Sequence, residues 1–174
     1  MQAQTNLGAV QIVNSHFGLG YSERSLEAKL LIGPAWLGSV PPDEPAILLG
    51  DFNSVRTSRA YRVLETHLRD VRTLVRSRRP FRTFPTRFPS LAVDHIFVNA
   101  ALFPTHLNVH RTPLARLASD HFPLVCELTL TKQWSERDER HGRLSREVAV
   151  ERSGSCRDPM ELLGKATSNA EPTR

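Results

Sequence analysis

Four short apolar runs meet polar residues in the same way, and this pattern constrains the chain most. Leu7-Gly8-Ala9-Val10-Gln11-Ile12-Val13 runs into Asn14-Ser15-His16, and Ala46-Ile47-Leu48-Leu49 runs into Gly50-Asp51-Phe52-Asn53. Ala92-Val93 opens on Asp94-His95 before Ile96-Phe97-Val98, and Ser119-Asp120-His121 stands just before the run Phe122 to Leu130. Runs of this length, bounded by turn formers, read as strands. The continuous Ala46–Leu49 run predicts a strand buried on both faces. The last run alternates, with Phe122, Leu124, Cys126, Leu128 and Leu130 on one face, so Cys126 reads as a core residue.

Helical spacing fills the intervals. From about Ser22, the residues Leu26, Leu30 and Leu31 predict one apolar face, ended by Gly33-Pro34. Ser58 predicts the cap of a second helix carrying Ala60, Tyr61, Leu64 and Leu68. Strands alternating with helices predict an α/β class. The segment Arg76 to Pro89 reads as an ordered basic loop, and His106 and His110 as flanking a short strand without a role in chemistry. Composition shifts after Thr131: Lys132 to Arg174 holds nine basic and eight acidic residues and few large apolar ones. The expected division is therefore a domain over 1–131 and a charged, disordered tail over 132–174, with Trp134 to Val150 a candidate charged helix.

Strand ends in an open α/β sheet are where loops converge and ligands bind. Three carboxylates, an amide and two histidines gathered there suit a hard cation and a phosphate. Each island alone has a plainer reading. Gly-Asp-Phe-Asn makes a good turn, Ser-Asp-His a helix cap or turn, and His16 a strand-end histidine bonded to backbone. Asp94 alternates with Ile96 and Val98, which predicts an inward side chain, and an ionised carboxylate there needs a partner.

Taken in order, Val13–Leu19, Ile47–Asn53, Val93–Val98 and Ala118–Leu124 resemble the endonuclease/exonuclease/phosphatase superfamily. Thr83-Phe84-Pro85 and the helix start Ser22-Glu23-Arg24 resemble a bacterial subgroup of it. The resemblance covers roughly Leu7 to Leu130. It implies a four-layer α/β sandwich of the DNase I-like kind, here only its C-terminal portion, and hydrolysis of a phosphate ester by in-line attack of water. It implies Mg²⁺ or Mn²⁺ as cofactor. Asp51 would orient or deprotonate the water and touch the metal, and Asn53 would hold the phosphate. His121 would bond a phosphoryl oxygen, with Asp94 as its partner, while Asp120 would lie beside the metal and His16 would assist the leaving group.

The pattern departs at the start. Members of the superfamily carry a strand-terminal Asn and a metal-binding Glu upstream of the position of His16, whereas this sequence has fifteen residues there and no Glu before Glu23. An N-terminally truncated chain is the resulting expectation, with a second subunit supplying the missing lobe as one consequence. A catalytically incomplete module that binds nucleic acid, anionic lipid or a protein is the alternative. The substrate class stays open among nucleic acid, phospholipid and inositol or sugar phosphate. Ten arginines between Arg56 and Arg87, opposed by Glu65 and Asp70, lean towards a large anion, although a solvated surface gives the same composition. No apolar stretch is long enough to span a membrane and no signal peptide is visible, so a cytoplasmic location is expected.

Overall fold

A computed structural model describes residues 1–77 and 80–133; the expected charged helix, and the expected tail from position 134 onwards, lie outside those residues. Strands β1 (Gln2–Thr5), β2 (Gly8–His16), β3 (Ala46–Asp51), β4 (Arg69–Asp70) and β5 (Asp94–Val98) form a five-stranded sheet in the order β1-β2-β3-β5-β4. Strands β6 (Leu102–Val109) and β7 (Leu124–Leu130) form a separate antiparallel pair. The helices are α1 (Tyr21–Leu31), α2 (Arg59–Leu64), α3 (Val71–Leu74) and α4 (Pro113–Ala118). The fold is α/β, as the sequence pattern predicts.

The central parallel pair, β2 with β3, is joined through α1, the crossover that parallel neighbours require. β5 returns antiparallel beside β3, with Asp51 opposite Asp94 in the register. His16 lies opposite Asp51 on the other side. Three strand termini therefore bring three of the polar islands to one edge of the sheet. The polar strand β1 extends the sheet as a hairpin partner of β2, an element its Gln-Ala-Gln-Thr sequence does not announce.

Each face of the sheet has its own core. On one side Leu48 and Phe97 pack with Phe17, Phe52, Ala28, Leu31, Ala60, Tyr61 and Leu64, from the helical layer and the loops. On the other, Val71, Val98, Leu102 and Leu107 form a core against which Ile47, Ile96, Leu124, Cys126, Leu128 and Leu130 pack half-buried. Cys126 is thus a packing residue, and burial pushes its thiol up to about 12.

Two local expectations need correction. α1 buries Ser25, Ala28 and Leu31, while Leu26 and Leu30 are exposed. Small residues at positions 25 and 28 let the helix lie close against α2, and that packing overrides the apolar stripe as a guide. β3 buries Ala46 and Leu48 fully, whereas Ile47 and Leu49 are half-buried, so one face of the central strand is only partly covered. The α2 reading holds at its start, where the Ser58 hydroxyl accepts from the Tyr61 amide and Ala60, Tyr61 and Leu64 are buried, but the helix ends at Leu64 and Leu68 is buried from the segment after it.

Candidate active site

Asp51 ends β3 where the chain must turn sharply. Gly50 precedes it at φ 139°, a conformation open to glycine, and a methyl group there would overlap the Ser15 carbonyl oxygen of the neighbouring strand. The turn that follows is built on Asp51 itself, whose Oδ1 accepts from the Asn53 amide at 2.9 Å. Asn53 sits at φ 46°, which an asparagine tolerates better than most side chains. Its Nδ2 donates to the Phe17 carbonyl at 2.8 Å and lies 3.3 Å from His16 Nε2.

Opposite, His121 Nδ1 lies 2.9 Å from Asp94 Oδ2. A carboxylate only accepts, so Nδ1 carries the proton and Nε2 faces outwards. That Nε2 is 3.8 Å from Asp51 Oδ2, and His16 Nε2 is 3.7 Å from the same oxygen. Both separations exceed a hydrogen bond and leave the Asp51 carboxylate facing two imidazoles across a gap. The side chains of Asp51, Asp94 and His121 are 17%, 20% and 25% exposed, so the group is lined rather than buried, while His16 at 76% stands at its mouth. Burial opposes charge on His121, but its hydrogen bond to Asp94 and the charges of Asp94, Asp51 and Asp120 outweigh it, so its pKa is raised.

Among the described residues, Asp51, Asp94 and His121 form a group whose donor atoms lie within 4.8 Å of one another. The two carboxylates are oxygen donors of the kind that Mg²⁺ or Mn²⁺ takes, while the imidazole, bonded to Asp94, turns its other nitrogen towards the gap. The structure brings together His16, Asp51, Asn53, Asp94 and His121. Asp120 is exposed and outside that group; its carbonyl accepts from the Thr86 amide at 2.8 Å. Phe84 packs its ring 4.6 Å from that of His121, which ties the Thr83-Phe84-Pro85 segment to the same place.

Behind the site lies a network that sequence reasoning missed. His95 is 1% exposed; its Nε2 donates to the Ser54 carbonyl at 2.7 Å, one residue beyond Asn53. Its Nδ1 lies 2.9 Å from Asp70 Oδ2, which also accepts from Tyr61 Oη at 3.0 Å and from the Arg72 guanidinium at 2.9 Å. Burial opposes the Asp70 charge, yet His95 and Arg72 hold its carboxyl well below the usual carboxylate range. Burial pushes His95 down, with the Arg72 charge adding to it. The parity of the strand carried a signal, because His95 alternates with the core residues Val93 and Phe97.

The chain is similar to known proteins in sequence and in structure. A family model described as the Endonuclease/Exonuclease/phosphatase family matches residues 4–121. The uncharacterised protein YbhP of Escherichia coli K12 is 34% identical over 125 residues, covering 70% of this chain and 47% of that protein. This chain therefore spans about half the length of the curated relatives it matches. A mannosyl-6-phosphatase of Bacteroides thetaiotaomicron aligns in structure at 25% identity and TM-score 0.59, covering 70% of this chain and 51% of that one. An endonuclease/exonuclease/phosphatase family protein of the same species aligns at 28% identity and TM-score 0.57, covering 69% and 48%.

Proposed function

Because the chain belongs to the endonuclease/exonuclease/phosphatase family, we propose that it takes part in metal-dependent hydrolysis of a phosphate ester, centred on Asp51. One observation carries this reading: Asp51 faces His121 and His16 across a gap of 3.8 and 3.7 Å, while Asp94 fixes the His121 tautomer at 2.9 Å. The similarity to a phosphatase supports the reaction class.

In this reading a water held by Asp51 attacks phosphorus and gives up its proton to that carboxylate. The P–O ester bond breaks as the new one forms, and His16 delivers a proton to the leaving oxygen. His121, kept protonated by Asp94, donates from Nε2 to a non-bridging oxygen as its charge grows. Asn53, pinned by its bond to Phe17, keeps phosphate and water in line. Asp51 would hold Mg²⁺ or Mn²⁺, and Asp120, exposed and outside the group around Asp51, is not assigned to the cation. The cation, when bound, supplies charge neutralisation at the phosphoryl group.

The test is turnover of bis-p-nitrophenyl phosphate and p-nitrophenyl phosphate by the whole chain with Mg²⁺ or Mn²⁺. The reading expects release of nitrophenol that EDTA stops, and a loss of about 10²-fold or more in Asp51→Asn and His121→Asn. Equal rates in the native chain and both variants would discard the site.

A further inference from the structure

The loops that carry the candidate site also carry large apolar side chains that nothing covers among the described residues. Leu19, three residues after His16, is 80% exposed, and Phe88, six residues before Asp94, is 75% exposed. On α4, which ends immediately before Ser119-Asp120-His121, Leu114 is 74% and Leu117 is 85% exposed. A spacing of three residues puts those two leucines on one helix face. The loop bearing Phe88 is tied to the end of α4, because Thr86 donates from its amide to the Asp120 carbonyl at 2.8 Å and from its hydroxyl to the Ser119 carbonyl at 3.2 Å. Phe88 and the two α4 leucines thus stand on segments bonded to each other, and Leu19 follows Phe17, whose amide donates to the Asp51 carbonyl at 2.9 Å.

Exposed arginines are interleaved with them. The Arg87 guanidinium lies 6.0 Å from the Phe88 ring centroid, and that of Arg116 lies 5.9 Å from the ring centroid of buried Phe122, next to His121. Scattered exposed hydrophobics are ordinary, but several gathered on the rim of one site mark an interaction surface. The combination selects the partner. A nucleic acid strand would be met by the arginines but gives Leu114 and Leu117 no apolar surface to leave water for. An anionic bilayer offers both, acyl chains for Leu19, Phe88, Leu114 and Leu117 and headgroup phosphates for Arg87 and Arg116.

We propose that this rim is a membrane-contacting surface that seats the site on an anionic phospholipid bilayer, with the substrate phosphate ester presented at that interface. Contact with the bilayer stands on the rim alone; the identity of the substrate rests on the hydrolytic reading above.

The experiment is flotation of the whole chain with phosphatidylcholine vesicles, with or without about 30% phosphatidylglycerol, in EDTA so that no turnover intervenes. Binding to the anionic vesicles is expected, weakening as salt rises. Leu114→Ser with Leu117→Ser should lower partitioning roughly tenfold or more, since two exposed leucines lose their burial in the bilayer. Arg87→Gln with Arg116→Gln, a separate pair, should remove the preference for the anionic lipid. No flotation, or flotation unchanged by the leucine pair, would overturn the proposal. Tighter binding to a single-stranded oligonucleotide than to the vesicles would overturn it in favour of a nucleic acid. Cleavage of soluble esters without flotation would leave the hydrolytic reading intact, and leucine-dependent flotation without any cleavage would do the reverse.

Discussion

Asp51 organises the candidate site because every other member is placed relative to it: it caps its own turn through the Asn53 amide and faces two imidazoles. The most informative neighbour is His121. Its raised pKa predicts an NMR titration midpoint above the ordinary value of about 6.5, and Asp94→Asn should bring that midpoint down. A midpoint unmoved by the substitution would mean that the Asp94 contact does not form in solution. Tyr61 tests the network behind the site. Removing its hydroxyl in Tyr61→Phe takes one donor from the buried Asp70 carboxylate, and chemical denaturation should register a loss of about 1–3 kcal/mol.

Strand β3 and the turn after it show what a sequence makes legible. The islands at His16, Asp51 and Asp94 were readable because the chemistry sits where apolar runs meet polar residues, and strand pairing then carries those positions to one end of the sheet. Ser58 was readable for a similar reason, since a cap is a local contract between a hydroxyl and an amide three residues on. Ser58→Ala should cost about 0.5–2 kcal/mol by the same denaturation assay. Gly50→Ala should cost more, because it meets both an unfavourable φ and the Ser15 carbonyl, and its unfolding midpoint is expected below that of Ser58→Ala. What stayed hidden depended on distance along the chain. Asp70 and His95 are 25 residues apart with no spacing that joins them, and the exposed Leu26 and Leu30 looked like a core stripe because the close approach of α1 to α2 is a tertiary fact.

In the molecule taken together, the displaced pKa values of His121, His95 and Asp70 give a pH dependence of stability whose sign can be worked out. His121 is raised, so its contribution is full below the unfolded value of about 6.5 and is lost as pH climbs through its folded pKa. His95 is lowered, so the unfolded chain takes up its proton first and stability falls as pH drops below about 6.5. Asp70 is lowered too, and its contribution, present above about 3.9, goes last as acid protonates it. Urea midpoints should therefore peak near pH ~6.5 and fall on both sides; a steady rise with pH would contradict the His121 assignment. No helix among the described residues is long and apolar enough to cross a membrane. The central claim is that Asp51 directs metal-dependent cleavage of a phosphate ester, and steady-state turnover of bis-p-nitrophenyl phosphate with Mn²⁺ or Mg²⁺ tests it most directly. The account predicts turnover abolished by EDTA and reduced about 10²-fold or more in Asp51→Asn at unchanged stability, whereas a native chain without turnover, or a variant as fast as the native chain, would contradict it.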